Sequence, residues 1–401
     1  MTKLKTIFFA ASALALLGVS ACKDPSDGTG GNSAGTSTPK YTIHFSVRSG
    51  LGTLKAAVDG KEIHTGDSVE QGKSIVFTAE PDSGYEVGQW TNGGTVIDEA
   101  GTDKTYTHTV TANAFIRVKF VLPAPFVEGG ASLILYPDMF DIRVAVTTAD
   151  NSPVTVEGCT ETTLPSGTET ILHAKGIVVI LKGKITKLNC GILDSYGHDP
   201  NVLTDLNVQG CTALQTLDCQ FNWLTALNVQ GLTSLQTLKC CANQLTALNV
   251  QGCTALQTLD CQLNRLTALN VQGLTALQEL LCGENQLNAL NVQGLTALQG
   301  LYCGGNQLTA LDVQGLTALQ FLDCHNNRLT AQAFTKIFDD LPQITSYYGY
   351  CALYTEKEGV SEGNNTDFTK PPELQSAFEN AKTVKKWKMH KFAADGQLVG
   401  I

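Results

Sequence analysis

Six cysteines, Cys219, Cys240, Cys261, Cys282, Cys303 and Cys324, recur every 21 residues, and their surroundings recur in step. Leucine stands five residues before each (Leu214 through Leu319) and again two before (Leu217 through Leu322). Asparagine follows three after (Asn222, Asn243, Asn264, Asn285, Asn306, Asn327) and leucine five after (Leu224 through Leu329). Fixed self-similarity at this period marks a stack of turns, one repeat to each. A single turn buries too few apolar side chains to offset the entropy of ordering its own backbone, so the turns must stack into one solenoid with capped ends.

The columns predict the path of each turn. In the strand, period-two alternation sends Leu217 and Cys219 inward and Thr216, Asp218 and Gln220 outward. The Asn amide can satisfy free backbone groups where the strand turns away, rung upon rung. Leu227 and Val229 alternate with Asn228 and Gln230 on the return arm, which therefore reads as extended, since 21 residues leave no room for a long helix. An earlier turn runs through Ile185, Leu188 and Cys190 to Asn201 and Leu203, with an insertion at 191–200 that must loop out beside the strand edge. The expected divisions are an N-terminal cap at 123–184, the solenoid at 185–332 and a C-terminal α/β cap at 333–401. In the last, Phe334 to Leu341 reads as helical, and Pro371-Pro372 introduces a helix with Leu374, Phe378 and Ala381 on one face. Trp387, Met389 and Phe392 read as cap core, and Lys382, Lys385, Lys386, Lys388 and Lys391 as its solvated face.

At the other end, Lys3 and Lys5 precede an apolar run from Ile7 to Val19, too short to span a bilayer but suited to a signal peptide at 1–21. The run ends in Val19-Ser20-Ala21-Cys22, which resembles the bacterial lipobox; that resemblance implies lipidation of Cys22. Residues 22–39 are Gly, Ser, Thr, Asp and Asn with few apolar side chains, a flexible tether. Lys23-Asp24 resembles the surface-export signals of Bacteroides-type lipoproteins. The formal charge of −10 becomes −12 once Lys3 and Lys5 are cleaved away, which argues against nucleic acid as a partner.

Between tether and cap, residues 40–122 alternate at period two around Gly- and Asp-rich turns, as at Tyr41 to Val47, Ser74 to Thr78 and Tyr106 to Val110. The order Gly52 to Gly60, Gly66, Ala79 to Tyr85, Trp90, Val110 to Asn113 and Ile116 to Phe120 resembles the divergent internalin B-repeat domain. It implies a small β-grasp-like module, a stalk or spacer, in which Tyr85 and Trp90 are core aromatics. The repeat itself follows the leucine-rich-repeat pattern L-x-x-L-x-C-x-x-N-x-L. With its Leu-Asn-Val-Gln-Gly-Leu-Thr-Ala-Leu-Gln return arm, it resembles the internalin J-like surface proteins. The fold class expected is therefore mainly β: a leucine-rich-repeat solenoid with non-helical convex arms behind a β-grasp-like domain.

Thirteen cysteines in an exported chain invite a disulfide reading. Thiols one turn apart, however, point the same way from neighbouring strands, a poor geometry for a bridge, and a column does not converge on a metal. They read as buried apolar packing, joined by Cys211 and Cys253 in leucine columns. Cys241 should face solvent, and Cys159 and Cys351 fall in the caps. No metal and no cofactor is expected.

Variation among the copies concentrates on the outward strand positions, which should line the concave surface. Asp218, Lys239 and Asp260 form a charge ladder that partly satisfies itself. Leu281, Tyr302 and Phe321 follow, beside Gly283 and Gly304, as aromatics in a glycine-floored hollow of the kind that makes binding hot spots. Asp323 and His325 share the last strand as a surface pair, and Phe221 and Trp223 lie at the rim. The catalytic motifs of zincins, α/β-hydrolases and phosphate-binding loops are absent, so no enzyme is expected. The reading is a lipid-anchored protein at the outer membrane or cell surface of a Gram-negative bacterium. It would bind a protein on another cell through its concave face, in adhesion or in host or community contact. A glycan ligand and a ligand-free structural spacer are the alternatives.

Overall fold

The computed structural model describes residues 38–401 apart from 138, 192–202 and 346–348. The signal peptide, Cys22, nearly all of the tether and most of the 191–200 insertion lie outside the described residues. No helix among the described residues is long and apolar enough to cross a membrane.

The first unit is built of two sheets. One runs in the order 67–70, 40–49, 114–121, 86–92, 95–96, and its strands Lys40–Ser49 and Ala114–Val121 pair parallel. The other runs 61–63, 52–58, 74–81, 105–109. Alternating residues from both, among them Ile43, Ile75, Phe77, Ile116 and Phe120, close over Trp90 in one core. The indole N–H of Trp90 donates to the Asp103 carbonyl at 2.9 Å, which satisfies the polar atom of this fully buried ring. Tyr85 packs against the same core, as expected of it.

The second core is continuous from Ala131 to Met389. Its backbone is a twelve-stranded sheet that starts in the N-terminal cap with 169–173 and 141–148. The sheet then proceeds through 185–189, 216–218, 237–239, 258–260, 279–281, 300–302 and 321–323 in parallel register. It does not stop where the repeat stops. Strands 349–355 and 387–392 extend it in parallel, and 398–400 closes it antiparallel. Two helices cover this end: α1 (Ala331–Asp340), whose N-cap Thr330 hydroxyl accepts from the Ala333 N–H, and α2 (Pro372–Thr383), which buries Leu374, Ala377, Phe378 and Ala381.

The asparagine column holds the rungs in register. Each buried amide bonds three strand-end carbonyls and accepts one N–H from the preceding rung. Asn264, for example, donates to the carbonyls of Cys240, Cys261 and Gln262 at 3.0–3.1 Å and accepts from the Leu245 N–H at 2.9 Å. Asn364 supplies the next rung, donating to the Cys324 and Leu353 carbonyls at 2.8 Å and accepting from Leu329. It sits outside the 21-residue spacing, so the repeat did not reveal it.

One residue before each of Asn222, Asn243, Asn264, Asn285, Asn306 and Asn327, the chain turns through a left-handed residue. These are Phe221 (φ 55°), Ala242 (52°), Leu263 (53°), Glu284 (52°), Gly305 (69°) and Asn326 (48°). The N–H of each of the first five reaches the next rung, as from Leu263 to the Gly283 carbonyl at 3.1 Å, and that ladder imposes the conformation. For a leucine this backbone costs about 1–2 kcal/mol. Leu263 is 54% exposed and has little packing to lose. Leu263→Gly is therefore expected to stabilise the chain by about 1 kcal/mol, read as a higher urea midpoint at unchanged slope.

Candidate ligand-binding face

Strand alternation places the sequence-predicted columns as expected. Leu217, Cys219 and their equivalents in every rung are buried, while Thr216, Asp218, Gln220, Lys239, Asp260, Leu281, Tyr302, Asp323 and His325 are half-buried and Phe321 is exposed on the opposite face. Chemistry on this face differs from the sequence expectation at four points.

Asp218, Lys239 and Asp260 do not satisfy one another through ion pairs shorter than 4 Å. Each carboxylate instead accepts from the glutamine two residues on. Asp218 binds the Gln220 side-chain amide at 3.3 Å and its N–H at 3.4 Å, and Asp260 binds the same groups of Gln262, both at 3.2 Å. A neighbour on the same strand and face, with an N–H and an amide to offer, reaches the carboxylate without dehydrating an ammonium. Burial raises the Asp218 carboxyl above its usual range, and its Gln220 hydrogen bond and the Lys239 charge only partly oppose this.

Cys241 is not open to solvent. It is 8% exposed, with its thiol donating to the Gln220 side-chain carbonyl at 3.2 Å, and burial pushes it up to about 12. Cys159 and Cys351 are buried as well, and all twelve described cysteines are free thiols. No cluster of three or more metal-ligating side chains occurs among the described residues.

The glycine-floored hollow is partly filled. The ring of Tyr302 lies over Gly300, 2.8 Å from where a Cβ would stand; His325 covers Gly304, and the Glu284 carboxylate covers Gly305. The glycines let larger neighbours lie down against the sheet. His325 accordingly packs on Phe392 at 4.5 Å and pairs with Asp323 at 2.6 Å. Burial disfavours a protonated His325, but the hydrogen bond and charge of Asp323, helped by Glu284 and Glu362, outweigh it and raise the imidazole above its usual value.

Phe392 is therefore a wall of this face and not part of the cap core, whereas Trp387 and Met389 are buried as expected. The repeat period also hid an aromatic series on this face. Phe321 stacks on Tyr350 (5.7 Å, 3° between planes), Tyr350 on His390 (5.5 Å, 27°), and the Lys388 ammonium sits 5.7 Å over Tyr350. The cap lysines are engaged individually: Lys385 bonds the carbonyls of Phe338 and Asp339 at the end of α1, and Lys391 pairs with Glu356.

At the opposite end, a groove of about 310 Å³ is lined by Thr147, Lys187, Asn189, Thr216, Asp218 and Lys239 among others. Lys187 and Asn189 lie on a strand that precedes the regular copies, so the repeat columns do not point to them. Trp223 stands off the strand face, with its ring edge-on to Tyr136 at 4.9 Å, and Phe221 is exposed at the turn.

The small N-terminal unit has a recognisable counterpart. Residues 53–122 match the divergent InlB B-repeat domain. Among solved structures, the chain is similar to the functional domain of InlJ from Listeria monocytogenes, described as including a cysteine ladder. The likeness is 26% identical and covers 45% of this chain and 52% of that one, with a TM-score of 0.31. The chain thus spans about half the length of that InlJ domain. It is also similar to human 5T4 (Wnt-activated inhibitory factor 1, trophoblast glycoprotein), at 14% identity, over 47% of this chain and 89% of that one, with a TM-score of 0.27. No curated protein matches the chain. Both components of the resemblance are present: a B-repeat domain by its family match, and a cysteine-bearing leucine-rich-repeat array by its strands, thiol column and asparagine ladder.

Proposed function

We propose that the mature chain is a surface lipoprotein, anchored through Cys22, that binds a protein ligand on the strand face of its repeat array and performs no catalysis. The observation that carries this reading is a contrast between the two sides of each turn. The return-arm polar columns are absorbed by the scaffold: Gln251 and Gln272 donate to the carbonyls of Asn270 and Asn291 one rung on, and Asn249 and Asn270 accept the N–H of the residue two positions later. Such bonds account for a column that hardly changes. On the strand face, Leu281, Tyr302 and Phe321 enter no comparable ladder within the repeats, yet apolar and aromatic side chains are held outward there, the composition of an interface hot spot. Asp218, Lys239, Asp260, Asp323 and His325 would form the surrounding polar contacts, with Phe221 and Trp223 at the rim.

The test is binding of fluorescent mature chain to intact target cells, before and after protease treatment of those cells. Binding is expected to fall with protease treatment and to weaken by about tenfold or more in Tyr302→Ala/Phe321→Ala. Binding that survives protease but falls with glycosidase would favour a glycan ligand, for which the hydroxyl-, amide- and carboxylate-lined groove at Lys187 to Lys239 is suited. Binding indifferent to the double substitution would remove the strand face from consideration.

A further inference from the structure

The geometry points to a receptor slot for an arginine side chain of the protein ligand, over Gly300 and between Glu279 and Phe321. This rests on the strand-face reading above and specifies what that face recognises.

The slot follows from register. Glu279, Gly300, Phe321 and Tyr350 are paired in one row across four adjacent strands. Gly300 contributes no side chain to the row, so Glu279 and Phe321 face each other across two strand spacings, about 10 Å. The ring of Tyr302, lying over Gly300, forms the floor. Phe321 is parallel to Tyr350 within 3°, so one face is covered and the other turns toward Gly300; the side chain is 40% exposed. Glu279 is exposed and forms no ion pair with another described residue.

A planar cation fits these walls. A guanidinium stacked on the open face of Phe321 would place its N–H groups toward the Glu279 carboxylate, which two parallel hydrogen bonds can engage. Arginine is favoured over lysine because only the guanidinium can both stack flat and bind a carboxylate in fork geometry. The surroundings carry the complementary charge. The segments 258–263, 279–284, 300–305 and 321–326 contain Asp260, Glu279, Glu284 and Asp323 and no lysine or arginine. The same aromatic row already accepts a cation at its far end, where the Lys388 ammonium lies 5.7 Å over Tyr350.

The test uses the full mature chain and fluorescein-labelled octa-arginine, octa-lysine and octa-citrulline peptides, followed by anisotropy at low salt. Octa-arginine is expected to bind more tightly than octa-lysine, and octa-citrulline not at all. Glu279→Gln is expected to weaken octa-arginine about tenfold. Gly300→Thr should do the same, because its side chain would meet the Tyr302 ring, 2.8 Å from the new Cβ, and push that floor up into the slot. The strand accepts threonine, since Thr216, Thr237 and Thr258 occupy the same column, and the contact it makes is with the outer edge of the Tyr302 ring. Glu62→Gln, an exposed carboxylate in the B-repeat domain, is expected to leave binding within about twofold. Octa-lysine binding as well as octa-arginine, or loss in Glu62→Gln equal to that in Glu279→Gln, would reduce the effect to general charge attraction and overturn the slot. If cell binding depends on Tyr302 and Phe321 while octa-arginine ignores Glu279 and Gly300, the face stands and the arginine does not. If cell binding ignores Tyr302 and Phe321, the face itself fails.

Discussion

Raising the pH past the ordinary thiol range is expected to unfold the repeat array as a unit. Cys190, Cys219, Cys240, Cys261, Cys282, Cys303 and Cys324 are all 0% exposed. Burial pushes the first six thiols up, Cys282 to about 12, and Cys324 is raised by its interaction with the Cys351 thiol together with burial. In the unfolded chain the same groups ionise near about pH 8.5. The folded state keeps protons that the unfolded state releases, so this contribution is fully present below the unfolded value and is lost as pH rises above it. Each thiol forfeits about 1.4 kcal/mol per pH unit, and seven together about 10 kcal/mol, comparable to the whole stability of a typical domain. Far-UV circular dichroism should therefore collapse cooperatively within about one to two pH units above pH 8.5. Cys261→Ala/Cys282→Ala should flatten the dependence by two thiols' worth, although it costs stability at neutral pH through lost packing. At pH 7, a disulfide-exchange reagent should reach the ladder thiols only after denaturant is added. Prompt labelling of the folded chain, or a fold indifferent to pH 11, would mean that the column is open to water and the strand register is wrong.

The array was legible because two independent periods agree. The 21-residue repeat fixes which residues stack, and period-two alternation fixes which face each takes, so Leu217, Cys219 and their copies could be assigned inward without coordinates. Where either period breaks, sequence reasoning loses the thread. Cys351 occupies the position of Leu322, not that of Cys324, and Met389 follows it after a different spacing, so Tyr350, His390 and Phe392 could not be aligned with Phe321 and His325. Other features depend on competition between neighbours, which a column of letters does not resolve. Whether Asp218 takes Lys239 or Gln220 turns on the cost of dehydrating an ammonium against a hydrogen bond already at hand. Whether Tyr302 stands up or lies over Gly300 turns on the space that Gly300 leaves on its own strand and on the side chains of the neighbouring rungs. The hollow was legible as a place, and its contents were not.

Asn285→Asp is expected to be among the most damaging single substitutions in the chain at neutral pH, and to become less so in acid. The Asn285 amide donates to the carbonyls of Cys261, Cys282 and Gly283 at 3.0–3.2 Å, and its carbonyl accepts from the Leu266 N–H at 2.9 Å. Asn285→Ala removes both functions and leaves buried groups on two rungs without their partner, at about 3–5 kcal/mol. Asn285→Asp preserves the acceptor for Leu266 but turns a carboxylate oxygen toward three carbonyl oxygens in a site screened from water. The charged form is penalised by burial and by repulsion together, so its loss should exceed that of alanine. The carboxyl is then held above its ordinary value in the folded state. Stability is greatest when the group is protonated, below about pH 4, and falls as pH rises past the unfolded value. Protonation also restores one donor to the carbonyl cluster. Urea midpoints for wild type, Asn285→Ala and Asn285→Asp at about pH 4.5 and pH 7.5 check this: the Asp variant alone should lose ground against wild type between the two. An aspartate variant as stable as the alanine one at neutral pH, or flat across that interval, would show that the amide's donated bonds do not hold the rungs. Because those bonds fix the register that sets Glu279, Gly300 and Phe321 in one row, the proposed slot would lose its foundation with them.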